Sequence, residues 1–128
     1  MLLRLLIAVG SVSVLFVAWR LWKRAPRVRR LDLVDLGVSG PAIVQFTTPY
    51  CAPCKTNLPV LERFASEAQV PLAQIDLGER PELAGRYGIR TVPTIVVTAR
   101  DGTVVGTWTS LPANGEIRDA ALEASGRG

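Results

Sequence analysis

Residues 50–55 read YCAPCK and hold both cysteines of the chain, Cys51 and Cys54. Two thiols at this spacing can exchange electrons with a disulfide. If Cys51 stands at the N-terminus of a helix, unpaired backbone N–H groups and the positive end of the helix dipole favour its thiolate, the nucleophilic form. Cys54 then lies about one helical turn on, within reach of a mixed disulfide formed at Cys51, and its attack releases the reduced partner. Pro53 suits an early helical position, where a missing N–H costs little and a fixed φ favours the turn. Two other uses of such a pair are weaker. Zinc takes four ligands, and the chain has no histidine and no third cysteine, so a metal site would need a second chain or carboxylates. A purely structural disulfide would close so short a loop that it adds little stability, and it suits a cytoplasmic address badly.

The elements that must position these thiols are legible around them. PAIVQFT (41–47) is a short, mostly apolar, β-rich run, and it leads straight into a segment where Leu58, Leu61, Phe64, Ala65 and Ala68 recur at helical spacing. A buried strand therefore feeds a helix, with the cysteines at the junction. VRRLDLV (28–34) alternates enough to predict a first strand, LAQIDL (72–77) another, and RPELAGRYG a short helix closed by Gly88. PTIVVTARDGTVVGTWT predicts two strands joined at Asp101-Gly102, and GEIRDAALEA a closing helix. The order β, β, α, β, α, β, β, α indicates an α/β domain with a mixed sheet. Pro93, in TVPT, cannot donate to a sheet and predicts either a strand start or a cis turn.

Composition bounds the rest. With 48% hydrophobic and 6% aromatic residues, 128 residues can bury one ordinary core and carry a short appendage. The net charge of +4 is unevenly spread: the seven basic residues up to Arg30 have no acidic neighbour, which leaves eight basic against 11 acidic beyond them, a net −3. Nucleic-acid binding would want that basic charge on the folded part, so it is not expected. Residues 5–19 are uncharged, and the helix from Leu2 to Trp22 would be about 31 Å long, enough for a bilayer core with Arg4 and Arg20 snorkelling and Trp19 and Trp22 at the interface. A cleaved signal peptide is the rival, but WRLWKRAPRVRR has no small-x-small site and places charge where cleavage would occur. The organisation expected is thus a transmembrane anchor over 1–22, a basic juxtamembrane linker over 23–30 able to rest on anionic lipid, and a folded domain over 31–128. Six basic residues after the uncharged stretch 5–19 against one before it predict a single-pass protein with this domain on the cytoplasmic face.

From about Leu31 to Ala124 the chain resembles the thioredoxin family. The resemblance rests on CAPCK (51–55), on Pro59 eight residues after Cys51 where such helices are kinked, on IDLGERPELAGRYGIRTVPT, and on the RDGTVV hairpin. It implies a thioredoxin-like fold, a mixed β-sheet flanked by helices, here preceded by one N-terminal transmembrane helix. It also implies that Cys51 attacks, that Cys54 resolves, and that Pro93 is a cis-proline beside them. The Val92 backbone would pair with an extended substrate segment, and Thr91 and Val92 would line the groove. Tyr50, Ala52, Pro53, Lys55 and Gln45 are the surrounding positions.

The chain departs from the family pattern in several places. Tyr50 stands where the family usually has tryptophan, and Ala52 where it has glycine, a change that could move the redox potential. The family's buried aspartate is Gln45 and its accompanying lysine is Leu72. Losing both avoids stranding one buried charge, and removes a group thought to help deprotonate the resolving thiol, so Cys54 would act more slowly or through water. Ser110 replaces a glycine of the substrate-facing turn. Only about a dozen residues separate the linker from the central strand, so the family's first helix is expected to be shortened or missing.

The function this implies is a membrane-tethered thiol-disulfide oxidoreductase acting chiefly as a reductase. It would need no metal or organic cofactor. Its partners would be disulfide-containing protein substrates, a separate electron-donating reductase and the lipid membrane. Two alternatives stand beside it: an extracytoplasmic enzyme maturing exported proteins or cytochromes, and a non-catalytic redox-sensing docking module.

Overall fold

The computed structural model describes residues 1–24 and 29–126. Helix α1 (Leu2–Arg24) is followed by β1 (Ala42–Thr47), α2 (Ala52–Ala68), β2 (Leu72–Asp76), α3 (Glu82–Tyr87), β3 (Thr94–Thr98), β4 (Val104–Trp108) and α4 (Glu116–Gly126). The four strands form one sheet in the order β2-β1-β3-β4. β1 runs parallel to β2, while β1 with β3 and β3 with β4 are antiparallel, so the sheet is mixed as expected.

β1 and β3 are buried on both faces, which is why they read as nearly unbroken apolar runs. Alternation along the strands divides their side chains between two layers. Val44, Phe46 and Val96 pack with Leu31, Leu33, Leu36, Leu83 and Tyr87 on one side. Ile43, Ile95 and Val97 meet Leu61, Phe64, Ala65 and Ala68 of α2 and Ile117, Ala121 and Ala124 of α4 on the other. The helical repeat seen in α2 is the stripe pressed onto the sheet, with Leu58 only half-buried at its edge. Pro59 lies inside this helix.

One expected element is absent. Of the strand expected over 28–34, Val28 lies outside the described residues, and the rest contributes only an isolated bridge between Arg30 and Thr103. Leu33 and Leu36 are buried at a spacing of three, which suits a turn better than a pleat. The Asp35 N–H donates to Asp32 Oδ1, the Leu36 N–H to the Asp32 carbonyl, and Gly37 closes the turn at φ +76°. Arg80 and Arg86 hold the turn from outside through Asp35. Among the described residues no helix stands between α1 and β1, in keeping with the expected shortening or loss of a first helix. Gly102 lets the β3–β4 hairpin close against it: its φ is +89°, and any Cβ there would collide with the Leu31 carbonyl.

Helix α1, over Leu2–Lys23, is long and apolar enough to cross a membrane, and its apolar window is not buried among the described residues. The basic linker expected over 23–30 falls partly outside the described residues, including Pro26.

Candidate active site

β1 ends at Thr47, and β3, its antiparallel neighbour, begins at Thr94, with Phe46 opposite Thr94. That register brings residues 48–51 and 91–93 to the same end of the sheet. The loop leaving β1 turns at Thr48, whose carbonyl accepts from the Cys51 N–H at 3.2 Å. Cys51 is then the N-cap of α2, in extended conformation (φ −85°, ψ 95°), with its sulfur accepting the Cys54 N–H at 3.3 Å. Pro53 occupies the first turn, where it displaces no helical hydrogen bond.

Cys51 and Cys54 are joined in a disulfide, with Cα atoms 5.3 Å apart. Both are buried, Cys54 the more deeply, while Ala52, Pro53 and Lys55 are exposed and Tyr50 is 95% exposed. The pair is thus covered from behind by the sheet and bordered in front by side chains that project into solvent. Across the sheet end the Val92–Pro93 peptide is cis, Pro93 is buried, and the Thr94 hydroxyl donates to the Thr91 carbonyl at 2.6 Å. Thr91 and Val92 line an open cavity of about 400 Å³ together with Thr48, Leu77, Ile89 and Arg90. Cys51, Cys54, Thr91, Val92 and Pro93 therefore lie at one end of the sheet, with Thr48 linking the cavity wall to Cys51.

Gln45 lies behind the pair, fully buried in β1, and its Nε2 donates to the Cys54 carbonyl at 3.2 Å. Leu72 stands opposite Ile43 in β2 and packs onto the apolar layer beneath α2. Ser110 is exposed in the bend after β4. Among the described residues no three acidic or cysteine side chains cluster to hold a metal ion.

A thioredoxin family model matches residues 34–121. The chain belongs to the thioredoxin family. It is 40% identical to a thioredoxin of Bacillus subtilis over 70 residues, covering 53% of this chain and 66% of that one. It is 38% identical to thioredoxin 1 of Synechococcus elongatus over 72 residues, covering 52% and 66%. The matched region thus spans just under two thirds of either relative. Among solved structures, a mutant thioredoxin from Halobacterium salinarum superposes with a TM-score of 0.63 at 28% identity, covering 78% of this chain and 93% of that one. Thioredoxin 1 from Thermosipho africanus, at 21% identity and a TM-score of 0.57, covers 64% and 91% and shares the fold. The thioredoxin-like fold and its disulfide-capable cysteine pair stand on these likenesses and on the geometry together.

Two contributors to this edge carry no signal in the sequence. Thr48 is marked by its place on the cavity wall with Leu77, Ile89 and Val92, and Arg90 by its place on the same wall and its guanidinium 5.2 Å over the Trp22 ring. Both depend on how distant segments meet, which no local pattern encodes.

Proposed function

We propose that the protein is a membrane-tethered thiol-disulfide oxidoreductase that reduces protein disulfides. In the reduced form the Cys51 thiolate attacks one sulfur of a substrate disulfide, forming a mixed disulfide and expelling the first substrate thiolate. The Cys54 thiolate then attacks Cys51 Sγ, the mixed disulfide breaks, and the second substrate thiolate leaves. Two electrons pass to the substrate, protons from solvent or from the thiols complete its two thiols, and Cys51–Cys54 is left oxidised. A separate reductase must restore the dithiol.

The observation that carries this reading is Cys51 as the N-cap of α2, bonded to Cys54 one turn on, at the sheet end that also holds Pro93. The helix N-terminus favours the Cys51 thiolate both as nucleophile and as leaving group. In this role Val92 offers its backbone to an extended substrate segment, Thr91 and Val92 wall the groove, and Tyr50, Ala52, Pro53 and Lys55 form its exposed rim.

Tethering is supported by the length and apolarity of α1 and by the Arg90–Trp22 contact, which sets the active-site edge near the end of that helix. The basic residues after α1 support a cytoplasmic domain. Turnover of a model protein disulfide with a dithiol donor tests the chemistry: the full chain should catalyse it, and activity no greater than that of a Cys51→Ser variant would refute the enzyme reading. Labelling in intact cells with a membrane-impermeant maleimide tests the topology. Free thiols reacting only after lysis would agree with it, and labelling before lysis would place the domain outside.

A further inference from the structure

We infer that Gln45 sets the redox balance of the Cys51–Cys54 pair, favouring the dithiol, because its buried carbonyl is without a donor in the disulfide form and gains one when Cys54 is reduced. This rests on the oxidoreductase reading. Gln45 is wholly buried at the middle of β1, between Gln74 of β2 and Ile95 of β3. Strand alternation sends its side chain to the same face as Ile43, toward α2. Its Nε2 donates to the Cys54 carbonyl, and that contact fixes the amide's orientation, since the reverse would set two acceptor oxygens against each other. The other end of the amide, Oε1, has no hydrogen-bond partner among the described residues.

A buried acceptor without a donor is costly, and an apolar side chain in this layer would avoid the cost. What changes beside this amide during the reaction is Cys54. In the disulfide its sulfur carries no hydrogen. Reduction by two electrons and two protons breaks the S–S bond and leaves one proton on Cys54 Sγ, a donor in a residue only 1% exposed and therefore shut off from water. The Cys54 thiol then donates to Gln45 Oε1. The dithiol gains a hydrogen bond that the disulfide lacks, so Gln45 makes the pair a weaker reductant than the same pocket with an apolar residue would be.

The test is the equilibrium of the full chain, in detergent micelles, with glutathione buffers, reading the oxidised fraction by alkylation and mass spectrometry. Gln45→Leu and Gln45→Met both remove the acceptor amide, Met keeping the unbranched shape if Leu packs poorly. In each, the equilibrium constant for reduction by glutathione should fall at least roughly threefold, about 14 mV at 29.6 mV per tenfold change. Ile43→Val, which thins the same layer without touching the amide, should leave the constant unchanged. A smaller fall in both Gln45 variants, a rise, or an equal fall in Ile43→Val would overturn the inference while leaving the enzyme reading intact. Failure of the unaltered pair to equilibrate with glutathione at all would overturn both.

Discussion

Leu61→Ala tests whether the cysteine-bearing helix is held by its buried stripe. Leu61 is fully buried on α2, in the same apolar layer as Ile43 and Ile95 of the sheet and Ile117 and Ala121 of α4. Truncation removes three carbons' worth of apolar burial, about 2.4 kcal/mol at roughly 0.8 kcal/mol per group. A cavity adds to this, because the sheet on one side and α4 on the other leave little room to collapse. Leu→Ala changes in such sites cost about 2–5 kcal/mol, so a loss near 3 kcal/mol is expected, offset by at most a few tenths from the better helix propensity of alanine. The loss is a large share of a typical domain's stability of about 5–15 kcal/mol. Urea unfolding in micelles, followed by far-ultraviolet circular dichroism, should show a lower midpoint at unchanged m-value. Leu61 lies about two turns beyond Cys54, so disulfide turnover under folding conditions should be little changed. A loss below about 1 kcal/mol would refute the packing that places the thiols.

Other consequences are equally open to measurement. Gly102→Ala should destabilise the fold by more than about 1 kcal/mol in the same urea assay, since it forces a side chain onto a positive φ and into the Leu31 carbonyl. Hydrogen bonds from Asn114 and the Trp108 indole hold the Glu116 carboxyl below its usual range. A depressed folded-state pKa means that this contribution to stability is present above the unfolded-state value and lost as pH falls through the folded one. Acid titration of Trp108 fluorescence in a Trp19→Phe, Trp22→Phe background should therefore show a transition below the ordinary glutamate range that Glu116→Gln abolishes. Cys54→Ser should accumulate a mixed disulfide between Cys51 and a protein substrate, visible on non-reducing gels and absent when Cys51 is also replaced.

Much of the fold was legible because its signals are local. The apolar run of β1, the helical stripe of α2, the Asp101-Gly102 turn and the αL cap at Gly88 each lie within a few residues of sequence. The segment after the linker misled because Leu31 and Leu33 alternate like a strand, while Leu36, the Asp32 side-chain bond and Gly37 close a turn just beyond. The cysteine pair announced itself by spacing. Gln45 could be singled out through its likeness to a family position, but its unfilled carbonyl and its bond to Cys54 arise only when β1 and α2 are packed. Thr48 and Arg90 are hidden for the same reason: their neighbours at the site come from other segments of the chain.

The most direct test of the central claim is the stoichiometry of a single encounter. Reduced full-length protein mixed with a protein disulfide, quenched with acid and alkylated, should yield one Cys51–Cys54 disulfide for every two substrate thiols released, and Cys51→Ser should release none. Substrate left oxidised by the unaltered protein, or reduced equally well by Cys51→Ser, would contradict it.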